Sequence, residues 1–398
     1  MEEEKTMKKL FSLVLALCML LSLSVSAMAE TVTLKVWGAQ ADQALLGELI
    51  EDFKAANPDT TWNITLGVVG EPDAKTRYLE DPVAAADVFA FANDQLIDLV
   101  NADALYEVTR NKAAIVDANS KGSVESATLN DVLYGYPMTA DNGYFLYYDK
   151  SVLTEEDVLT LDGILAKANA SGKKILMDVS NGWYVASFFL GAGCTLTLDA
   201  EGNQVCDFNN EKGVAAGEAI RAFCADPAFM TGDDSVIQGA MGETICAAVT
   251  GAWNAEALKN KLGENYAACK LPTFTCAGEQ IQMGSFIGTK LIGVNTQSEY
   301  PVEAMMLAEF LTNEASQAKR FAQRELGPSN VVVAASEEVK ANVALAALSA
   351  QSAYGTSQKL VLGSYWSPAE AFGLAMENKS TEDMQTLLDN MVAQITAK

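Results

Sequence analysis

The chain has 398 residues, with 52 acidic side chains against 27 basic ones, a formal charge of -25, and no histidine. Such a surface repels phosphate backbones and anionic lipid faces, which argues against nucleic acid and membrane surfaces as partners. The missing imidazole excludes serine triads, Cys-His dyads and His-containing zinc sites.

Residues 7–29 read as an export signal. Lys8 and Lys9 precede an apolar run over residues 10–25, and Ala27-Met28-Ala29 has the small-x-small pattern of a cleavage site. The mature chain then begins at Glu30, in the periplasm or on the outer face of a bacterial envelope. Glu2, Glu3 and Glu4 cancel the basic charge of a leader counted from Met1, so Met7 is the better start. Cys18 follows Leu17, where a lipoprotein box needs a small residue, so a soluble product is expected ahead of a lipid-anchored one. The apolar run is short for a retained membrane anchor.

About 370 residues remain, 49% of the whole chain being hydrophobic, which suggests two domains with sizeable cores. Val32, Leu34 and Val36 alternate as a strand ending at Trp37, and Leu45, Leu46, Leu49, Ile50 and Phe53 repeat at helical spacing before Asn57-Pro58. Trp62, Ile64 and Leu66 alternate again, residues 87–92 read as a buried strand, and residues 94–102 as a helix. This order predicts a mainly parallel sheet covered by helices, with ligand sites beyond the strand ends, where Trp37, Phe91 and Asp94 stand. A second α/β region follows Tyr136-Pro137-Met138, with helices over 157–170 and 210–224 and strands over 174–179, 244–249 and 266–271. A strand over 291–294, a helix over 302–311 and a mostly helical segment from Ser336 complete the chain.

Six cysteines fall in the mature chain, all between Cys194 and Cys276. Cys194 and Cys206 flank a turn at residues 199–203 and are the first candidates for a disulfide, with buried free thiols as the alternative. No CxxC pair exists, and neither a metal site nor a cofactor is expected. Of five tryptophans, Trp62 belongs to a core. Trp37, Trp183, Trp253 and Trp366 lie at strand ends or in turns, where an indole face suits the apolar face of a sugar ring. Asp94 and Asp141 can accept hydrogen bonds from ligand hydroxyls. Either carboxylate can instead cap a helix or turn, and together they could serve as acid and base of a glycosidase.

The ordered motifs Leu34-Lys35-Val36-Trp37, residues 87–94, Gly135-Tyr136-Pro137 with Tyr147-Tyr148-Asp149-Lys150, Gly242-Glu243-Thr244, Gly251-Ala252-Trp253 and Leu271-Pro272-Thr273-Phe274 resemble the extracellular solute-binding proteins of ABC transporters, in their maltose-binding branch. The resemblance implies an α/β fold of two lobes, type II, each a mainly parallel sheet flanked by helices, joined by a hinge that the chain crosses repeatedly. It divides the chain into a first lobe of residues 30–139 and 291–336 and a second of 140–290 and 337–398. The hinge would pass near residues 139–142, 287–291 and 336. Asp42, Phe91, Asp94, Gln95, Asp141, Tyr184, Trp253 and Trp366 match sugar-contacting positions by place, with Trp183 adjacent. Asp42 and Gln95 stand where the maltose binder has basic residues, and Gly182 replaces a carboxylate, which argues against maltodextrin itself.

The expectation is therefore a monomeric, non-enzymatic receptor that captures a carbohydrate, an oligosaccharide by preference, and hands it to an ABC permease. The alternatives are a glycoside hydrolase using Asp94 and Asp141, a receptor for another solute, and a silent surface scaffold.

Overall fold

A computed structural model describes residues 31–397; the export signal and Cys18 lie outside the described residues. Strand β1 (Thr31–Gly38) buries Val32, Leu34 and Val36 and exposes the residues between them, as its period of two dictates. Helix α1 (Gln43–Ala56) buries Leu45, Leu46, Leu49, Ile50 and Phe53 along one face, each worth roughly 1.5–3 kcal/mol of apolar burial. It stops at Asn57, whose side chain donates to the Phe53 carbonyl at 2.8 Å. The chain returns as β2 (Thr61–Val68) and later β3 (Val88–Ala92), both parallel to β1. Trp62 is half-buried with its ring edge-on to Phe53.

The strand that organises the molecule is β4 (Tyr136–Asp149), 14 residues long and buried along almost its whole length. Its sequence Thr139-Ala140-Asp141-Asn142-Gly143 has weak strand propensity, so no local pattern announces it. Beyond it lie β5 (Lys174–Leu176), β6 (Phe229–Met230), β7 (Ile245–Gly251) and β8 (Tyr266–Cys269). Strand β9 (Ser285–Val294) extends well before the expected residues 291–294, through the polar stretch Gly288-Thr289-Lys290. One end of β9 pairs antiparallel with β3, and its other part pairs with the first half of β4. The second half of β4 pairs with β7 and β8. The sheet order is therefore β6-β5-β7-β4-β9-β3-β1-β2, continuous through β4 and β9.

Two hydrophobic cores sit at the two ends of this sheet. The first gathers Val32 through Met138 and returns with Leu291, Ile292 and Val294 and with Ala304, Leu307 and Leu311 of α4 (Pro301–Thr312). The second gathers Tyr144 through Phe286, with residues 361–395 covering it. A smaller cluster covers the other face of the sheet in the second lobe and includes Ala255, Leu258 and Leu262 of α3 (Ala255–Leu262) with Ala344, Ala347 and Leu348. Neither core includes the β4 segment 139–143 or the β9 segment 287–290. The fold is α/β with two lobes, and β4 and β9 run between them.

The hairpin expected around residues 199–203 forms, pairing residues 196–198 with 204–206. The Cys194–Cys206 bridge does not: all six described cysteines are free. The register sets Leu196 opposite Cys206, leaving Cys194 beyond the ladder with its thiol donating to Asn210 Oδ1 at 3.8 Å. Burial pushes both thiols up to about 12, so neither is a ready nucleophile for disulfide exchange.

Where the strands pass between lobes the packing is tight. A Cβ on Gly288 would overlap Asn93 Oδ1 and Gln358 Cδ. We expect Gly288→Ala to destabilise the protein by about 1–3 kcal/mol in urea unfolding, whereas Gly47→Ala, where nothing lies near a new Cβ, should be neutral or stabilising.

Candidate functional site

The second lobe contributes an aromatic wall. Trp183 and Tyr184 open helix α2 (Gly182–Gly191), capped by Asn181, instead of standing in a turn. Trp253 sits in the 3-10 turn that follows β7. The Trp183 ring lies 5.8 Å from that of Trp253 and 4.6 Å from that of Tyr144, and Tyr184 packs against both Tyr144 and Trp183. Trp366 opens helix α6 (Trp366–Glu377), and its backbone and ring lie against Gly182, a contact that a larger residue there would disturb. Three of the four candidate indoles thus share one neighbourhood. Trp37 stays apart, half-buried against Phe89.

Hydrogen bonds fix this wall. Trp253 Nε1 donates to Asp234 Oδ2 at 2.8 Å, and Asp234 Oδ1 receives Asn254 at 2.6 Å and Thr250 at 3.0 Å. Trp183 Nε1 donates to Gln358 Oε1 at 3.0 Å, and Gln358 Nε2 donates to Asp94 Oδ1 at 2.9 Å. Asp94 makes no helix-capping bond. It is instead linked through Gln358 to an indole of the opposite lobe.

A charged floor lies where β4 and β9 cross. Lys290, on the crossing part of β9, sits 3.5 Å from Glu71 and 5.5 Å from the centre of the Trp253 ring, a cation–π distance. Asp42 accepts from Arg324 Nε at 3.1 Å, and the same guanidinium reaches Glu256 of α3, across the seam, at 3.1 Å. Lys259 and Glu325 make a second cross-lobe pair at 2.7 Å. Asp141, on β4, accepts the Gly327 amide at 2.6 Å through Oδ2, while its Oδ1 has no partner among the described residues.

Burial governs the charge states. It raises Asp94 to about 7, opposed by a backbone hydrogen bond, Lys75 and Gln358. It raises Asp141 as well, with Lys290 as the main opposing group. Burial pulls the Lys290 ammonium down, but Glu71, Asp141 and Asp42 outweigh that effect and hold it above its ordinary value.

Two expected contacts are otherwise engaged. Phe91 is wholly buried in the first core, ring to ring with Phe89. Gln95 spends both ends of its amide on backbone, accepting from Lys75 N at 2.8 Å and donating to the Glu71 and Pro72 carbonyls. Glu71, Lys290, Arg320 and Arg324, none of them singled out from the sequence, join Asp42 and Asp141 in one charged cluster. Each lies in a stretch with no motif, and only the fold brings them together. A cavity of about 390 Å³ lies at the crossing strands, lined by Asn93, Ser123, Ser126, Asn142, Thr289 and Lys359 among others. The indoles do not line it.

Residues 48–347 match the family profile described as bacterial extracellular solute-binding protein. A structure solved with acarbose shares 32% identity, covers 92% of this chain and 99% of its own, and has a TM-score of 0.85. The maltodextrin-binding protein MalE1 from L. casei BL23, solved without ligand, shares 25% identity, with coverage of 93% and 100% and a TM-score of 0.78. The maltotriose-binding protein of Thermus thermophilus, at 18% identity, covers 91% of this chain and 99% of its own with a TM-score of 0.77, a likeness of fold. No curated protein matches the chain. The chain belongs to the bacterial extracellular solute-binding proteins. The L. casei and Thermus thermophilus relatives are binding proteins, and no helix among the described residues is long and apolar enough to cross a membrane.

The raised Asp94 carboxyl sets a pH dependence. The native state holds a proton that the unfolded chain releases near 3.8, so this group's contribution to stability falls as pH rises from about 4 to about 7 and is level above. Asp94→Asn should therefore gain in unfolding midpoint over the wild type across that window, with a constant difference above it. Parallel curves would contradict the assignment.

Proposed function

We propose that this protein is an exported receptor that captures an oligosaccharide between its lobes and delivers it intact to an ABC permease. The observation that carries this reading is the Trp183–Trp253 wall of the second lobe facing Lys290 on the strand that crosses between the lobes. Indole faces cover the apolar faces of sugar rings, and fixed charges at the floor satisfy their hydroxyls. An α-linked glucose oligosaccharide or an acarbose-like pseudo-oligosaccharide is the ligand class that fits best, supported by the acarbose-bound relative. In this reading Lys290 of β9 and Arg320 of α5 (Glu314–Arg324), both coupled to Asp42 and Glu71, supply the positive charge that positions 42 and 95 lack. That supports a maltodextrin-like ligand in spite of the residues at positions 42 and 95.

The hinge in this reading runs through residues 139–143 of β4 and 287–290 of β9, with a third crossing after residue 336. The lobes are the segments 30–139 with 291–336 and 140–290 with 337–398. The Arg324–Glu256 and Lys259–Glu325 pairs close the seam, and Trp183–Gln358–Asp94 ties the wall to the first lobe. Ligand favours closure because contacts from both lobes exist together only in the closed form.

Titration of the mature protein with maltotriose, maltotetraose and acarbose, followed by tryptophan fluorescence, should give saturable binding. Trp253→Ala should weaken it about tenfold or more by removing the stacking face. Recovery of the glycans unchanged after long incubation separates a receptor from a hydrolase using Asp94 and Asp141. Binding of an amino acid or polyamine, with no glycan bound, would overturn the ligand class.

A further inference from the structure

Helix α5 carries a side chain that internal packing leaves unsatisfied. Arg320 is 1% exposed, and its Nε, Nη1 and Nη2 all lack a hydrogen-bond partner among the described residues. A guanidinium is an obligatory donor, and burying it unpaired is among the costliest arrangements a fold tolerates. The neighbours on its helix show where it lies. Gln317, one turn earlier, donates to the Pro137 carbonyl at the start of β4, and Arg324, one turn later, pairs with Asp42 and Glu256 at the seam. Arg320 therefore lies between the start of the crossing strand and the seam pairs of Arg324.

The unsatisfied atoms around it complement it. Asp141 Oδ1 and Ser329 Oγ are also buried and unpartnered, and the Thr139 hydroxyl lies near enough to the Asp141 carboxyl to pull it down. They belong to one local structure, since Thr139 bridges Pro328, Ala140 N donates to the Gly327 carbonyl, and Gly327 N donates to Asp141. Arg320 forms no ion pair with Asp141, yet it feels the charges of Asp42, Glu71 and Asp141. A donor fork and a free carboxylate oxygen, electrostatically coupled but not in contact, suit a bound group that both donates and accepts. Two neighbouring hydroxyls of a sugar ring have that chemistry.

We propose that Arg320 is a ligand-recognition residue whose guanidinium, with the free oxygen of Asp141, grips adjacent hydroxyls of the captured sugar. This rests on the carbohydrate reading given above. The role explains why the free protein keeps a buried charge without a partner: the partner arrives with the ligand.

The test combines affinity with the stability of the ligand-free protein. Isothermal titration of wild type, Arg320→Met, Arg320→Lys, Asp141→Asn and the double variant Arg320→Met/Asp141→Asn with maltotriose and with acarbose gives the affinities, and thermal unfolding without sugar gives the stabilities. Arg320→Met is expected to lose at least about tenfold in affinity while unfolding at the same temperature as wild type or higher, because it removes an uncompensated buried charge. The double variant should lose less than the product of the two single losses, since both residues hold the same part of the ligand. Arg320→Lys, which keeps the charge and loses the fork, should bind several-fold more weakly at unchanged stability, and it decides the matter if Arg320→Met does not fold. Affinity within threefold of wild type in a folded Arg320 variant, or a stability loss with affinity retained, overturns the proposal and leaves the carbohydrate reading standing. If wild type binds no glycan, that reading falls and this inference with it.

Discussion

Everything in this molecule depends on two strands belonging to both lobes at once. β4 and β9 pair with each other where they cross, and each then continues into a different sheet neighbourhood, β9 with β3 and β4 with β7 and β8. A backbone ladder cannot slide by one residue without turning every side chain to the opposite face. The lobes are therefore held in register, and bending of the crossing segments is the motion left to them. The register shifts within the β4–β9 pairing mark where the ladder is least regular, and both cores stop short of it.

That constraint accounts for where the polar groups are. Side chains on the crossing segments face neither core, so charged residues persist there that an interior would exclude. Lys290 tolerates burial because Glu71, Asp141 and Asp42 surround it, and Arg324 because it bridges Asp42 and Glu256. Arg320 and one oxygen of Asp141, two of the buried groups left without partners, feel each other's charge in the same cluster. The aromatic wall has the opposite character: rigid rings anchored through Asp234 and Gln358 instead of through mobile loops. A sugar has both kinds of surface, apolar ring faces and a hydroxylated rim.

Much of the fold was legible in the sequence, because β1, α1, β2 and β3 follow simple periodicities and their burial obeys them. The crossing strands were not legible. Thr139 to Gly143 and Gly288 to Lys290 are strand by tertiary pairing against their own propensity, and function keeps them polar. The aromatic candidates were found by type and by neighbouring glycines, and three of the four converge. Phe91 and Gln95 illustrate the limit of inference by position: a strand-end phenylalanine turned into the core, and an amide was consumed in holding the Glu71–Lys75 turn. The charged floor escaped notice because its members are far apart in the chain, from Asp42 to Arg324, and no local pattern connects them.

Small-angle scattering of the mature protein, recorded without sugar and then with saturating maltotriose or acarbose, probes the central claim most directly. A receptor that closes around its ligand should lose radius of gyration on adding the sugar and regain it when the sugar is removed by dialysis. Identical curves with and without a sugar shown to be bound would mean that the crossing strands do not act as a hinge, and that capture by lobe closure is wrong.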